Sequence, residues 1–258
     1  MSLGSRPAGG RHATVRVAAV REMGRYDATN AARTTFRFPA AWPYQPSDFD
    51  RLDDNNDATF YAAPRLVTHI DDRAIAALTA HYATLLRAGD DVLDVCSSWI
   101  SHLPPDTELG RVCGIGMNAE ELAVNKRLRG DFLVRDLNTE PELPFAENSF
   151  DKVFNVVSVD YLTQPRAVFE ETYRVLRPGG VAVMSFSNRC FPTKAIQRWL
   201  QTDTLGRVEL VANYFYFSGP WREILALDIA PKQFPPKDPL DLTAWTDLLT
   251  PRDPMFVV

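Results

Sequence analysis

No apolar run in the 258 residues approaches the roughly 18 needed to span a bilayer, so the sequence predicts neither a transmembrane segment nor a membrane partner. A basic balance is missing as well. The net charge of -5 argues against a nucleic-acid backbone as the main partner. Cysteine is scarce and odd in number: Cys96, Cys113 and Cys190 imply no disulfide framework and favour a reducing compartment. No acidic residue precedes Glu22, while Arg6, Arg11, Arg16 and Arg21 recur among small residues. That composition suits a flexible tail over residues 1–21 or an organelle transit segment, and the lack of an apolar h-region argues against a secretory leader. The expected location is therefore intracellular: cytoplasmic, or plastid or mitochondrial if the arginine-bearing segment is a transit peptide. Asp50, Asp53, Asp54 and Asp57 crowd one stretch but lack the turn glycine and bidentate glutamate of a calcium loop. They read as a solvated acidic loop, and no metal is expected. Nothing in the sequence specifies an oligomeric state.

What is present is an ordinary globular composition, 45% hydrophobic and 24% charged, in a length that suits one elaborated domain or a domain with a cap. Residues 22–60 carry Pro39, Pro43 and Pro46 among Phe36, Phe38, Trp42 and Tyr44, which predicts an irregular arm needing a surface to pack on. Asp71 or Asp72 caps a helix whose apolar face is Ile75, Leu78, Tyr82 and Leu85 or Leu86, closed by Gly89. Arm and cap helix make residues 22–88 one unit. From residue 89 to 258, strands alternate with helices. The strands are Asp91–Val95, Arg111–Ile115, Asp131–Val134, Lys152–Val157 and Val181–Phe186, with weaker candidates at 223–228 and 255–258. The helices start near Ser98, at Asn118 and at Pro165, with two more segments at 193–201 and 204–216. This spacing predicts an α/β fold with a doubly wound, mostly parallel sheet.

The first of these strands ends at Asp94, and ligands of such sheets bind at the carboxyl ends of the strands. A nucleotide-binding turn there needs glycine, yet the chain continues Val95, Cys96, Ser97, Ser98, Trp99. The Gly-x-Gly-x-x-Gly turn of a nicotinamide-dependent dehydrogenase is absent, which speaks against that class.

Val92-Leu-Asp94-Val-Cys96, Val112-Cys-Gly-Ile-Gly-Met-Asn118, Leu143-Pro-Phe-Ala-Glu-Asn-Ser-Phe-Asp151 and Arg174-Val-Leu-Arg-Pro-Gly-Gly180 together resemble the class I S-adenosylmethionine (SAM)-dependent methyltransferases, particularly the type 11 group. The last two are the most specific. The resemblance covers about residues 90–190 and extends weakly to the end; the stretches Phe60–Asp71 and Ser185–Lys194 are similar to a branch without an established substrate. It implies a seven-stranded Rossmann-like sheet with an antiparallel last strand, SAM as cofactor and S-adenosylhomocysteine (SAH) as product. It also implies a cofactor site of Asp94, Cys96, Ser97, Ser98, Trp99, Gly116, Met117, Asn118, Asp136, Leu137 and Asn155. Asp136 takes the position that meets the adenine amino group, and Leu137 packs on the ring. The chain departs from the family twice. Cys96, Ser98 and Ile100 stand where the first turn carries glycines, and Gly116 stands where the acid that holds the ribose is placed, leaving Asn118 as the nearest polar substitute.

The resemblance places the acceptor above the first, fourth and fifth strands. Asp160 and Tyr161 are candidate catalytic groups there, with Tyr61 and His69 closing from the cap. Ser158, Ser187, Asn188, Arg189 and Arg65 are candidate contacts for a small-molecule acceptor. His69 and His102 are candidate bases near neutral pH, and His81 reads as solvent-facing. For His69 and the other polar residues of Phe60–Asp71, a structural role as cap, ion pair or satisfied imidazole competes with the catalytic one. The alternative to an enzyme is a non-catalytic member of the same fold that serves as a scaffold or binding subunit.

Overall fold

A computed structural model describes residues 20–230 and 253–258; the expectations for residues 1–19 and 231–252 lie outside that range. The strands are β1 (Arg21–Asp27), β2 (Val92–Val95), β3 (Val112–Gly116), β4 (Phe132–Val134), β5 (Phe150–Val156), β6 (Leu176–Phe186), β7 (Glu223–Asp228) and β8 (Phe256–Val257). The helices are α1 (Asp57–Phe60), α2 (Asp72–Leu85), α3 (Ala119–Val124), α4 (Pro165–Val175), α5 (Gln197–Leu200) and α6 (Thr204–Ser218). One sheet runs β1-β7-β8-β6-β5-β2-β3-β4. The pairs β4–β3, β3–β2, β2–β5 and β5–β6 are parallel, whereas β8 is antiparallel to both β6 and β7.

The seven expected strands therefore stand in a doubly wound order with the last one reversed, and β1 adds an eighth. Residues 22–60 are not irregular throughout. Arg21–Asp27 pairs antiparallel with β7, so the arm begins as part of the sheet. Its aromatics then turn back onto α6: Phe38 stacks on Tyr216 with centroids 4.0 Å apart, and Trp42 lies 6.0 Å from Tyr214. The sheet was already legible in periodicity; this pairing depends on a contact about 200 residues away and was not.

Three helices differ from expectation. No helix follows Ser98, because the chain from Cys96 to Pro105 is irregular and Cys96 and His102 adopt positive φ. The helix expected to start at Asn118 is short, spanning only Ala119–Val124, and the segment expected over 193–201 is helical only over Gln197–Leu200. α2 forms with the predicted cap and with Ala74, Leu78 and Tyr82 buried, but it ends at Leu85, short of Gly89. The Asp71 carboxylate accepts from the Arg73 and Ala74 amides and from the Asp253 amide, while the Asp253 carboxylate accepts from the Asp71 amide. Asp71 thus caps a helix and ties it to the chain entering β8. Asp71→Ala is expected to cost about 1–2 kcal/mol, measurable by urea denaturation; an unchanged midpoint would refute the role.

The strand order reverses direction in sequence between β2 and β5, the crevice where open α/β sheets bind ligands.

Candidate active site

A cavity of about 350 Å³ opens at that crevice, within the range of small-molecule sites. Its floor is the carboxyl ends of β2, β3 and β5, and its roof is the segment from Asp57 to His69. Four side chains from the segments that follow β2, β3 and β4 stitch this roof down. Trp99 donates its indole N–H to the Val67 carbonyl at 3.0 Å, and Asn118 donates its amide to the Tyr61 carbonyl at 2.9 Å. Glu121 accepts from the Arg65 amide at 2.7 Å, and Asn138 donates to the Asp57 carboxylate at 3.0 Å. Asp57 is itself held by Arg51 at 2.7 Å and by Lys194 at 3.0 Å. Lys194 is fully buried and also donates to the Asp53 and Asn55 carbonyls. The acidic stretch is therefore not a solvated loop throughout: Asp57 is buried at the centre of a charged network. Burial alone would raise its pKa, but hydrogen bonds from Arg51, Asn138 and Lys194 hold the carboxyl below its usual value.

Of the expected cofactor residues, Asp94, Cys96, Ser97, Ser98, Trp99, Gly116, Met117, Asn118, Asp136 and Leu137 line the cavity. Asn155 does not. It is wholly buried beneath the turn, donating to the Val95 carbonyl at 3.1 Å, because its place on β5 turns it toward β2. Among the expected acceptor-side residues, Tyr61, Arg65, His69, Ser158, Tyr161 and Arg189 line the wall, while Asp160, Ser187 and Asn188 do not. Asp160 is buried, and desolvation raises its pKa to about 8. The Ser187 hydroxyl accepts from the Arg189 amide, and Asn188 is exposed. Glu121, Asn138, Asp57 and Phe191 also line the cavity without having been singled out for it. A carboxylate at the third residue of α3 reads in sequence as a helix-dipole partner, so no local signal marks Glu121 as a wall.

The turn keeps a glycine-like backbone although it holds no glycine. Cys96 sits at φ +57°, the left-handed geometry that glycine normally supplies at such a turn. His102 at +52° and Val157 at +45° share that region, and all three line the cavity. A β-branched residue there is a genuine outlier, and strain of this kind gathers at functional sites. The turn does not leave all its amides free, however, since Ser97 N–H donates to the Ile115 carbonyl at 2.6 Å. Gly116 is equally specific. A Cβ at that position would collide with the Ser97 carbonyl oxygen, so no acidic side chain fits beside this turn. Asn118 does not replace it freely: its carbonyl caps α3 and its amide holds the roof.

The cavity holds ionisable groups in distinct states. Burial raises Asp94 to about 6, against the opposing hydrogen bonds of Ser101 and Ser97. Desolvation lowers His69 from its ordinary value, and it lowers His102 to about 4, so both imidazoles are neutral at pH 7. Burial raises the phenols of Tyr61 and Tyr161, which remain protonated. His81, expected toward solvent, is half-buried on α2 and lies outside the wall. Two nitrogen atoms of cavity residues, Arg65 Nη1 and His102 Nδ1, are buried without a hydrogen-bond partner. Orphaned donors and acceptors of this kind fit a polar ligand. With Asp94, Asp136 and the apolar Leu137 and Ile115, the wall suits a molecule that carries a charged tail and a planar ring.

The crossed-over sheet with a reversed strand, and a ligand cavity at its switch point, define the Rossmann-like class I methyltransferase fold. Residues 93–184 match the family model described as "Methyltransferase domain". A demethylmenaquinone methyltransferase of Oceanobacillus iheyensis is 34% identical over 144 residues, covering 51% of this chain and 53% of that protein. A malonyl-[acyl-carrier protein] O-methyltransferase of Hahella chejuensis is 35% identical over 102 residues, covering 37% and 36%. The chain spans about half the length, or less, of these curated relatives. An S-adenosylmethionine-dependent methyltransferase structure from Mesorhizobium loti superposes with a TM-score of 0.42 at 20% identity, over 70% of this chain and 96% of that one. Among the described residues, no helix is long and apolar enough to cross a membrane.

Proposed function

We propose that the protein is a SAM-dependent methyltransferase acting on a small-molecule acceptor, with SAH as its product. The observation that carries the reading is the cavity at the switch point, walled by ten of the eleven residues expected to hold the cofactor. The sulfonium cofactor would supply the activated methyl group, and methyl transfer asks the protein chiefly for alignment and exclusion of water. In this reading Asp94 and the turn Cys96–Trp99 hold the charged tail, and Asp136 and Leu137 hold the adenine. Tyr61, Arg65, His69 and Phe191 close over the acceptor. Neutral His69 is available to take a proton from an acceptor hydroxyl or amine. The protonated phenols of Tyr61 and Tyr161 are restricted to orienting roles.

Isothermal calorimetry with SAM and SAH tests this directly. Binding at micromolar to millimolar cofactor supports the reading; no heat and no thermal shift at millimolar cofactor would leave the scaffold alternative standing. Asp136→Ala is expected to weaken SAH binding by about 1–3 kcal/mol through loss of a buried hydrogen bond, and an unchanged affinity would mean that the adenine lies elsewhere.

Binding should also depend on pH. Asp94 is neutral in the folded protein below about 6 and ionised above it. Because its folded pKa is raised, its contribution to stability is lost as pH rises from the unfolded value near ~4 to about 6. A cationic ligand favours the ionised carboxylate, so SAM affinity should rise as pH approaches about 6 and level off above it. A flat affinity between pH 5 and 7.5 would rule out a direct contact with Asp94.

A further inference from the structure

We infer that Glu121 is the group that holds the ribose hydroxyls of the adenosyl cofactor, an inference that rests on the reading just proposed. A nucleoside running from the turn after β2 to the corner after β4 must cross the end of β3, because β3 lies between them in the sheet. In dinucleotide-binding sheets a carboxylate near the end of the second strand accepts hydrogen bonds from the ribose. Here the strand-end position is closed. Gly116 cannot carry a side chain against the Ser97 carbonyl, and Asn118 spends its amide on the Tyr61 and Ala62 carbonyls and its oxygen on the Glu120 and Glu121 amides.

The next side chain along the same edge is Glu121, in the first turn of α3. It lines the cavity while only 8% of its surface is exposed. Its two oxygens accept from different elements: Oε1 from the Arg65 amide of the roof, and Oε2 from the Ser98 hydroxyl of the β2 turn. An ionised carboxylate offers about four acceptor sites. Two are used, and two remain for a vicinal diol. No positive side chain forms an ion pair with this buried carboxylate among the described residues, so donors from a ligand would complete its solvation. The acid has thus moved one helical turn inward. That shift accompanies glycine at 116 and a turn whose backbone occupies the space of the usual side chain.

The test is a ligand–protein cycle. SAH and its 2′,3′-dideoxy analogue are titrated calorimetrically into wild type and Glu121→Gln, with circular dichroism and thermal melting to verify folding. Wild type should bind the dideoxy analogue at least about tenfold more weakly than SAH, while Glu121→Gln should bind the two within about threefold of each other. Glu121→Asp, which keeps the charge but withdraws it by one methylene, should fall between and serves as the second variant if the glutamine protein is unstable. Wild type that binds SAH but does not distinguish the dideoxy analogue overturns this inference and leaves the methyltransferase reading intact. Variants that discriminate as strongly as wild type overturn it too, because a purely structural glutamate would lower both affinities together. Absence of SAH binding by wild type removes both.

Discussion

Lys194→Ala should destabilise the protein by about 3–5 kcal/mol, the usual cost of removing one partner from a buried charged pair. The ammonium group is wholly buried and meets Asp57 at 3.0 Å, Asp53 at 3.2 Å, and the Asp53 and Asn55 carbonyls. Its loss leaves those carbonyls without this donor in the interior and removes one of the three side chains that compensate Asp57. Chemical denaturation at pH 7 measures the effect, and a loss below about 1 kcal/mol would mean that water or Arg51 replaces the amine. Because the pKa of Asp57 is depressed in the folded state, its contribution is present above the unfolded value near ~4 and is lost as pH falls through the folded one. The difference between wild type and variant should therefore shrink under acid. Asp57 also anchors the roof of the cavity through Asn138. A folded Lys194→Ala protein at low temperature should thus bind cofactor more weakly than wild type.

Gly116→Asp is the second large effect. It places an acid where the type 11 resemblance expects one, yet the result should be loss of the site rather than improved binding. The added Cβ would overlap the Ser97 carbonyl oxygen and press on Leu122. Neither is the free end of an exposed side chain: one is backbone in a turn that already holds Cys96 at positive φ, and the other is buried core. Overpacking of this kind costs about 1–3 kcal/mol or more. The turn must move to relieve it, carrying with it the residues that line the cavity. A fall of at least about tenfold in SAH affinity, together with a lower melting temperature, is expected. Unimpaired binding by Gly116→Asp would show that the turn is adaptable and that the strand end is open to a ribose-binding acid. Gly116→Ala is the paired control, since it introduces the clash without the charge.

The positions of the strands were legible because a parallel sheet buried on both faces must be written in short apolar runs. Leu93, Val95, Ile115, Val153 and Val183 are those runs, and each is buried as expected. The Asp71 cap and the apolar face of α2 were equally local, since i, i+3 and i+4 spacing carries the information within one turn. The floor of the site followed from the same logic, because residues that end parallel strands share one edge of the sheet. Where the reading failed, a geometry intervened that side-chain pattern does not encode. A helix is expected from near Ser98, but with Cys96 and His102 at positive φ none forms.

The roof and the charges were set by distance in space. The sequence Asp50 to Asp57 has the composition of a solvated loop, and nothing within it tells of a lysine about 140 residues away. Folding brings Lys194 beneath it and converts Asp57 from a surface charge into a buried anchor. β1 became an edge strand for a similar reason: β7 exposes unpaired backbone groups, and the chain near residue 24 is free to satisfy them. Gly116 shows the two levels meeting. Its identity is plain in the sequence as a missing acid. Its cause, the carbonyl of Ser97 lying where a side chain would go, exists only once β2 and β3 are side by side, because exclusion of one atom by another requires both to be placed.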